Sequence, residues 1–208
     1  MTKQVYSEQV ISRIYGHGRG SVFTPSDFSD IAQPVTIKVA LARLANKGVI
    51  RRLLRGVYDY PSFSKILNEA APPDPDAIAQ ALARSHGWTI LPGGETALNL
   101  LGLSAQVPAS WEYLSDGPYR TYEWLGNTMK FKHRANKELT ILSPKTALMV
   151  QALKSLGERN VNDAVISTLA AHIDGKEKKK ILKEAKYVTD WIYEVIRTIC
   201  QPGEAEDV

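Results

Sequence analysis

The chain of 208 residues contains one cysteine, Cys200, so no intrachain disulfide can staple it. It has no apolar run near the roughly 18 residues that span a bilayer, so no transmembrane helix is expected. Met1-Thr-Lys-Gln-Val-Tyr6 leads into a polar, helix-like pattern rather than the apolar core of a signal peptide, and the cytoplasm is the expected compartment. Its four histidines, His17, His86, His133 and His172, are far apart and lack a cysteine or carboxylate partner at zinc-ligand spacing. No metal site and no cofactor is expected. There is no internal repeat and no long low-complexity tract.

What is present is ordinary in bulk and uneven in distribution. The composition is 44% hydrophobic and 23% charged, that of a globular chain, and the length suits one large domain or two small ones. The net charge is +4, but residues 1–60 hold nine Lys and Arg against four Asp and Glu. Residues 61–208 hold seventeen against eighteen, so the whole basic excess lies in the first third. That asymmetry fits either a polyanion partner or a solvated basic surface.

Three short helical patterns come first. Ser7 can cap a helix carrying Val10, Ile11 and Ile14, with Tyr6 and Ile11 spaced as a hydrophobic staple, and Gly16-His-Gly-Arg-Gly20 ends it. Thr24-Pro25-Ser26-Asp27 has the cap, proline and acid of a second helix start, with Phe28 and Ile31 as its buried pair. Pro34 to Lys47 reads as a third helix stopped by Gly48. Two strand-like runs come next, Val49–Leu53 and Val57–Tyr60, about a turn at Leu54-Arg55-Gly56. Helix, helix-turn-helix and hairpin in that order are the plan of a winged helix.

Three prolines within Pro72-Pro-Asp-Pro75 mark residues 68–76 as a linker. The expected fold class is therefore α+β: a winged helix-turn-helix over 1–67, then a mixed domain over 77–202 that ends in a helical bundle, and a flexible tail at 203–208. Within the second domain, 76–86 reads as helix, 88–91 as strand and 94–101 as helix. An aromatic-rich antiparallel sheet is expected over 111–133, then helices at about 144–156, 161–173 and 177–200. On the last of these, Ile181, Ala185, Val188, Ile192, Val195, Ile196 and Ile199 form one apolar stripe.

The third helix has two faces. Ile37, Ala40, Leu41 and Leu44 share a sector that suits packing. Val35, Val39, Arg43 and Asn46 lie opposite, flanked by Thr36 and Lys38, as in a recognition helix aimed at the major groove. Arg43 can pair with guanine O6 and N7, and Val35, Thr36 or Val39 can touch a thymine methyl. The competing reading buries Val39 against the next domain. Arg51, Arg52 and Arg55 on the hairpin suit phosphates or the minor groove, or else a solvated strand face. Arg19, Thr24 and the amides at the second helix start complete a candidate phosphate-binding set.

The run Ala40-Leu-Ala-Arg-Leu-Ala-Asn-Lys-Gly-Val-Ile-Arg-Arg-Leu-Leu-Arg-Gly-Val-Tyr58 resembles the N-terminal winged helix of the AbiEi-type antitoxins of bacterial type IV toxin–antitoxin systems. Trp88-Thr-Ile-Leu-Pro-Gly-Gly-Glu-Thr-Ala-Leu-Asn-Leu-Leu-Gly-Leu103 is similar to the opening of their antitoxin domain, and Leu142-Ser-Pro-Lys-Thr-Ala147 to a later signature. The resemblance implies an autorepressor that binds double-stranded DNA at promoter inverted repeats. It also implies a C-terminal domain that counters a nucleotidyltransferase-like toxin without a stable complex.

No catalyst is evident, so an enzyme is not expected. Pro92-Gly-Gly-Glu95 opens a helix but lacks the Lys-Ser/Thr of a phosphate loop, and it reads as a strand-to-helix turn. Nothing in the sequence brings Glu95, Asp116 and Glu123 together, and Cys200 reads as a buried thiol. The lysines from Lys176 to Lys183 are either a solvated face or a nucleic-acid contact. If they act, Lys179, Lys180 and Lys183 carry the antitoxicity. A ligand-sensing regulator without a toxin partner is the alternative reading of the whole chain.

Overall fold

The computed structural model describes residues 3–64 and 68–200. It forms two compact units, Met1–Trp88 with Glu123–Asn127, and Thr89–Tyr122 with Thr128–Val208. The fold is α+β. The expected flexible tail at 203–208 lies outside the described residues.

In the first unit, α1 spans Lys3–His17, so Ser7 lies inside the helix rather than capping it. No proline or glycine separates Lys3 from Ser7, so nothing stops the helix propagating back past the expected cap. Strand β1 (Val22–Phe23) comes next, then a single 3-10 turn at Pro25–Phe28 where a second α-helix was expected. Gln33 precedes a proline and is extended (φ −55°, ψ 145°), which ends helical geometry before Pro34 restarts it. Helix α2 runs over Pro34–Asn46 and buries Ile37, Ala40, Leu41 and Leu44, the four expected residues. Gly48, at φ 71°, turns the chain out of it.

Strands β2 (Arg51–Leu54) and β3 (Val57–Asp59) form the hairpin, closed by Arg55 and Gly56, the latter at φ 80°. Strand β1 pairs antiparallel with β3, giving the order β1-β3-β2. Val10, Ile14, Phe23, Phe28, Ile37, Leu41, Leu44, Ile50 and Tyr58 make one core, with the Phe23 and Phe28 rings edge to face at 5.6 Å.

The first unit then continues past the expected linker. Strands β4 (Phe63–Ser64) and β5 (Glu69–Ala70) pair, and α3 (Pro75–His86) starts from an Asp74 cap whose side chain accepts the Asp76 amide. Helix α3 packs on β1, the 3-10 turn and β3. Arg84 donates to Asp27 and to the Val22 carbonyl, each at 3.2 Å. Residues 68–76 thus connect elements of one unit, and residue 77 lies within α3 rather than at a domain start. The prolines do interrupt regular structure between β5 and α3, but α3 packs back on the elements that precede it.

The second unit opens with β6 (Ile90–Pro92) and α4 (Gly94–Leu100), so Pro92-Gly-Gly-Glu95 is a strand-to-helix turn. Strands β7 (Trp111–Ser115), β8 (Arg120–Trp124) and β9 (Asn127–His133) complete a sheet of order β6-β7-β9-β8. The β6–β7 pair is antiparallel, but β7–β9 is parallel, a correction to the all-antiparallel expectation. The strand beside β7 is the one reached after two chain reversals, and two reversals restore the original direction.

The chain continues through α5 (Asn136–Thr140), α6 (Pro144–Leu156), α7 (Asp163–Ala171), α8 (Gly175–Glu184) and α9 (Asp190–Cys200). The single helix expected over 177–200 is two helices, broken by a 3-10 turn at Ala185–Tyr187 and an extended Val188. The Thr189 carbonyl accepts from Ile192 and Tyr193 and restarts the chain as α9. The apolar stripe therefore folds onto itself. Ile181 and Ala185 meet Ile192, Ile196 and Ile199 in a core shared with Leu98, Leu101, Met149, Leu153 and Leu169. Cys200 is buried there, and desolvation pushes its thiol above the ordinary range.

The Leu142-Ser-Pro-Lys-Thr-Ala147 stretch has a definite structural task. The Glu184 carboxylate accepts from the Ser143 amide (3.1 Å), the Ser143 hydroxyl (2.7 Å) and the buried Thr146 hydroxyl (2.6 Å). Lys145 donates to Glu177 at 2.6 Å. Together these bonds tie the start of α6 to α8. Burial alone would raise the Glu184 pKa; the Thr146 and Ser143 bonds outweigh it and hold the carboxyl below its usual range.

Candidate nucleic-acid interface

Helix α2 carries a solvent face of a composition that packing does not explain. Val35 is 74% exposed and Val39 45%, while every apolar residue of the opposite face is buried. Lys38, Ala42, Arg43 and Asn46 are exposed beside them, and Thr36 is half-buried. Thirteen residues make a rod about 20 Å long at 1.5 Å per residue, and Val35, Val39 and Arg43 lie along one side of it. Lys38 and Arg43 enter no ion pair among the described residues.

The three hairpin arginines have different surroundings. Arg51 stands opposite Asp59 in the β2–β3 ladder and forms a two-pronged pair with it, Nε to Oδ1 at 3.1 Å and Nη2 to Oδ2 at 2.6 Å. Its Nη2 also donates to the Ala71 carbonyl at 3.0 Å. Arg51 therefore holds the sheet and the following segment, with Nη1 alone left for another partner. Arg52 and Arg55 are exposed, Arg55 at the hairpin tip, and neither enters an ion pair among the described residues.

Two other expected contacts are occupied as well. Thr24 is only 2% exposed, and its hydroxyl and amide both face the Asp27 carboxylate in a capping box, with the amide at 2.7 Å. A carboxylate already fills the place proposed for a phosphate at this turn. Arg19 is exposed, but its guanidinium lies 4.6 Å over the Tyr60 ring and donates to the Pro61 carbonyl at 2.9 Å. Its Nη2, its Nε and the second Nη1 hydrogen are left for a phosphate.

The loop before α2 is held from α1. Arg13 pairs with Asp30 through two bonds of 2.6 and 2.7 Å and donates to the Asp27 carbonyl. The hydrogen bonds from Arg13 draw the Asp30 carboxyl below its ordinary range. The segment between Phe28 and Pro34 is thereby tied to α1 through Asp30.

In the second unit, Lys176, Lys179, Lys180 and Lys183 are exposed at i, i+3, i+4 and i+7 of α8, with Lys180 within 3.8 Å of Glu184. No cluster of three metal-ligating side chains occurs among the described residues. Asp116 accepts from the Asn136 side chain and the Thr89 amide. Among the described residues, no helix is long and apolar enough to cross a membrane.

The chain belongs to a family of unknown function (DUF6088), whose model matches residues 9–182. No curated protein matches it. Among solved structures it is similar to the crystal structure of the RV2827C protein from Mycobacterium tuberculosis. Identity there is 15%, the TM-score is 0.44, and the match covers 95% of this chain and 76% of that one.

Proposed function

We propose that the first unit is a winged helix that reads promoter DNA, and that the chain is an autorepressor and antitoxin of a type IV toxin–antitoxin system. The observation that carries the DNA half is the solvent face of α2. Two exposed valines forfeit apolar burial that a helix in a free surface has no reason to forgo. Beside an unpaired Arg43 and Lys38 they supply methyl contacts, a bidentate donor and a phosphate contact, the set that major-groove reading needs. In this reading Arg52 and Arg55 meet the backbone or minor groove from the hairpin, while Arg51 and Thr24 hold the domain in shape. The antitoxin half is supported by the resemblance at residues 88–103 and 142–147, and it assigns to the second unit the countering of a nucleotidyltransferase-like toxin.

The test is a gel shift of the full chain on its own upstream promoter and on scrambled DNA, at two salt concentrations. Preferential binding is expected. Arg43→Ala should lose most of that preference, about 1–3 kcal/mol of discrimination for one bidentate contact. Equal binding to both DNAs, unchanged in Arg43→Ala, would remove the operator-reading role.

A further inference from the structure

We propose that the second unit binds a single-stranded polynucleotide, with one base in a cleft beside Tyr187 and the phosphates along the lysines of α8. The cleft encloses about 250 Å³ and is a separate site from the solvent face of α2. Ala147, Val150, Gln151 and Lys154 of α6 line one wall, at i, i+3, i+4 and i+7. Ile141 and Tyr187 form the rim, 69% and 90% exposed. Its size lies below the roughly 300–1,000 Å³ of sites for drug-sized ligands, so it suits one ring system rather than a large cofactor.

The chemistry of the lining selects the occupant. An apolar slot with an exposed aromatic edge accepts the face of a base, since every base has a π-face to stack. Lys154 lies in that lining and enters no ion pair among the described residues. Among the described residues no carboxylate lines the cleft, and Gln151 supplies both a donor and an acceptor for a base edge. Lys186 precedes Tyr187 directly, and Lys183 lies one turn before it; both are exposed. The stripe Lys176, Lys179, Lys180 and Lys183 thus leads along α8 to the aromatic rim, a cationic track ending in a stacking platform. A duplex offers no free base face to such a slot; a single strand does.

The proposal does not depend on operator reading by α2, and its test keeps the two apart. Full-length protein is titrated by fluorescence anisotropy with labelled 12-nucleotide RNA and DNA single strands and with a promoter duplex. Adenosine and uridine monophosphate serve as competitors. Tyr187→Ala should weaken single-strand binding by about fivefold to 150-fold, the range one stacked base supplies, and leave the promoter duplex unaffected. Lys154→Ala should weaken it in the same direction. Lys179→Glu with Lys183→Glu should flatten the log-log salt slope by about 0.7 per lost contact. Both single substitutions lie at exposed side chains, and circular dichroism checks that the fold is retained. Single-strand affinity unchanged in both Tyr187→Ala and Lys154→Ala would overturn the site. A mononucleotide that competes as tightly as the oligomer would overturn the strand as its occupant.

Discussion

Arg51 and Asp59 face each other across the β2–β3 ladder and share two hydrogen bonds, while the Asp59 side chain is only 3% exposed. The next residue, Arg52, is exposed because successive strand side chains point to opposite faces. Two adjacent guanidiniums therefore have opposite roles, one structural and one available to a ligand.

Separate measurements on those two residues should show the division. Arg51→Ala strands a buried carboxylate and should lower unfolding stability by about 3 kcal/mol in urea titration. Its effect on DNA binding should track the loss of folded protein and leave the salt slope unchanged. Arg52→Ala with Arg55→Ala should keep stability within about 0.5 kcal/mol and make the slope shallower by about 1.8 if each contacts one phosphate. The reverse pattern would return Arg51 to the interface.

Thr24→Ala should cost about 1 kcal/mol of stability, the worth of an N-cap, with no change in the salt slope for DNA. A shallower slope at unchanged stability would mean that Thr24 meets a phosphate despite its burial.

The Glu184 carboxyl, held low by Thr146 and Ser143 against the effect of burial, links the docking of α8 on α6 to pH. Its folded-state pKa lies below the unfolded value, so its stabilisation is complete above about pH 4.5 and is lost as pH falls through the folded value. Glu184→Gln should therefore destabilise the chain by about 1–2 kcal/mol at pH 7. The gap between variant and parent should close as pH falls through the lowered folded-state value, measured by urea unfolding across pH. A gap that persists in acid would mean that the carboxylate charge is not what ties the helices.

Replacing Lys179, Lys180 and Lys183 with glutamate should abolish neutralisation of a co-expressed toxin while promoter binding and the circular dichroism spectrum stay unchanged. Full neutralisation by that variant would remove the lysines from the antitoxin role.

Legibility in the sequence tracked the range of the interactions involved. The two faces of α2 could be read residue by residue, because the apolar period and the Gly48 stop act within a few residues of each other. The capping box at Thr24 was legible for the same reason, yet its helix shrank to one 3-10 turn because Pro34 leaves little room after Phe28. In the last stretch, one apolar period concealed two helices: a wheel cannot register that an extended Val188 lets the stripe close upon itself. The cleft beside Tyr187 gave no signal, since its walls come from β6, α6 and the turn before α9.

By itself, then, the sequence determined the two-faced character of α2, its Gly48 stop and the hairpin that follows, since periodicity, caps and helix stops are local and need no distant partner. Tertiary structure alone decided that Arg51 is bonded and Arg52 exposed, that α3 returns to the first unit, and that β9 lies parallel beside β7. Each of these depends on which residue arrives opposite another after the chain has turned, and that pairing is settled by packing rather than by neighbouring residues.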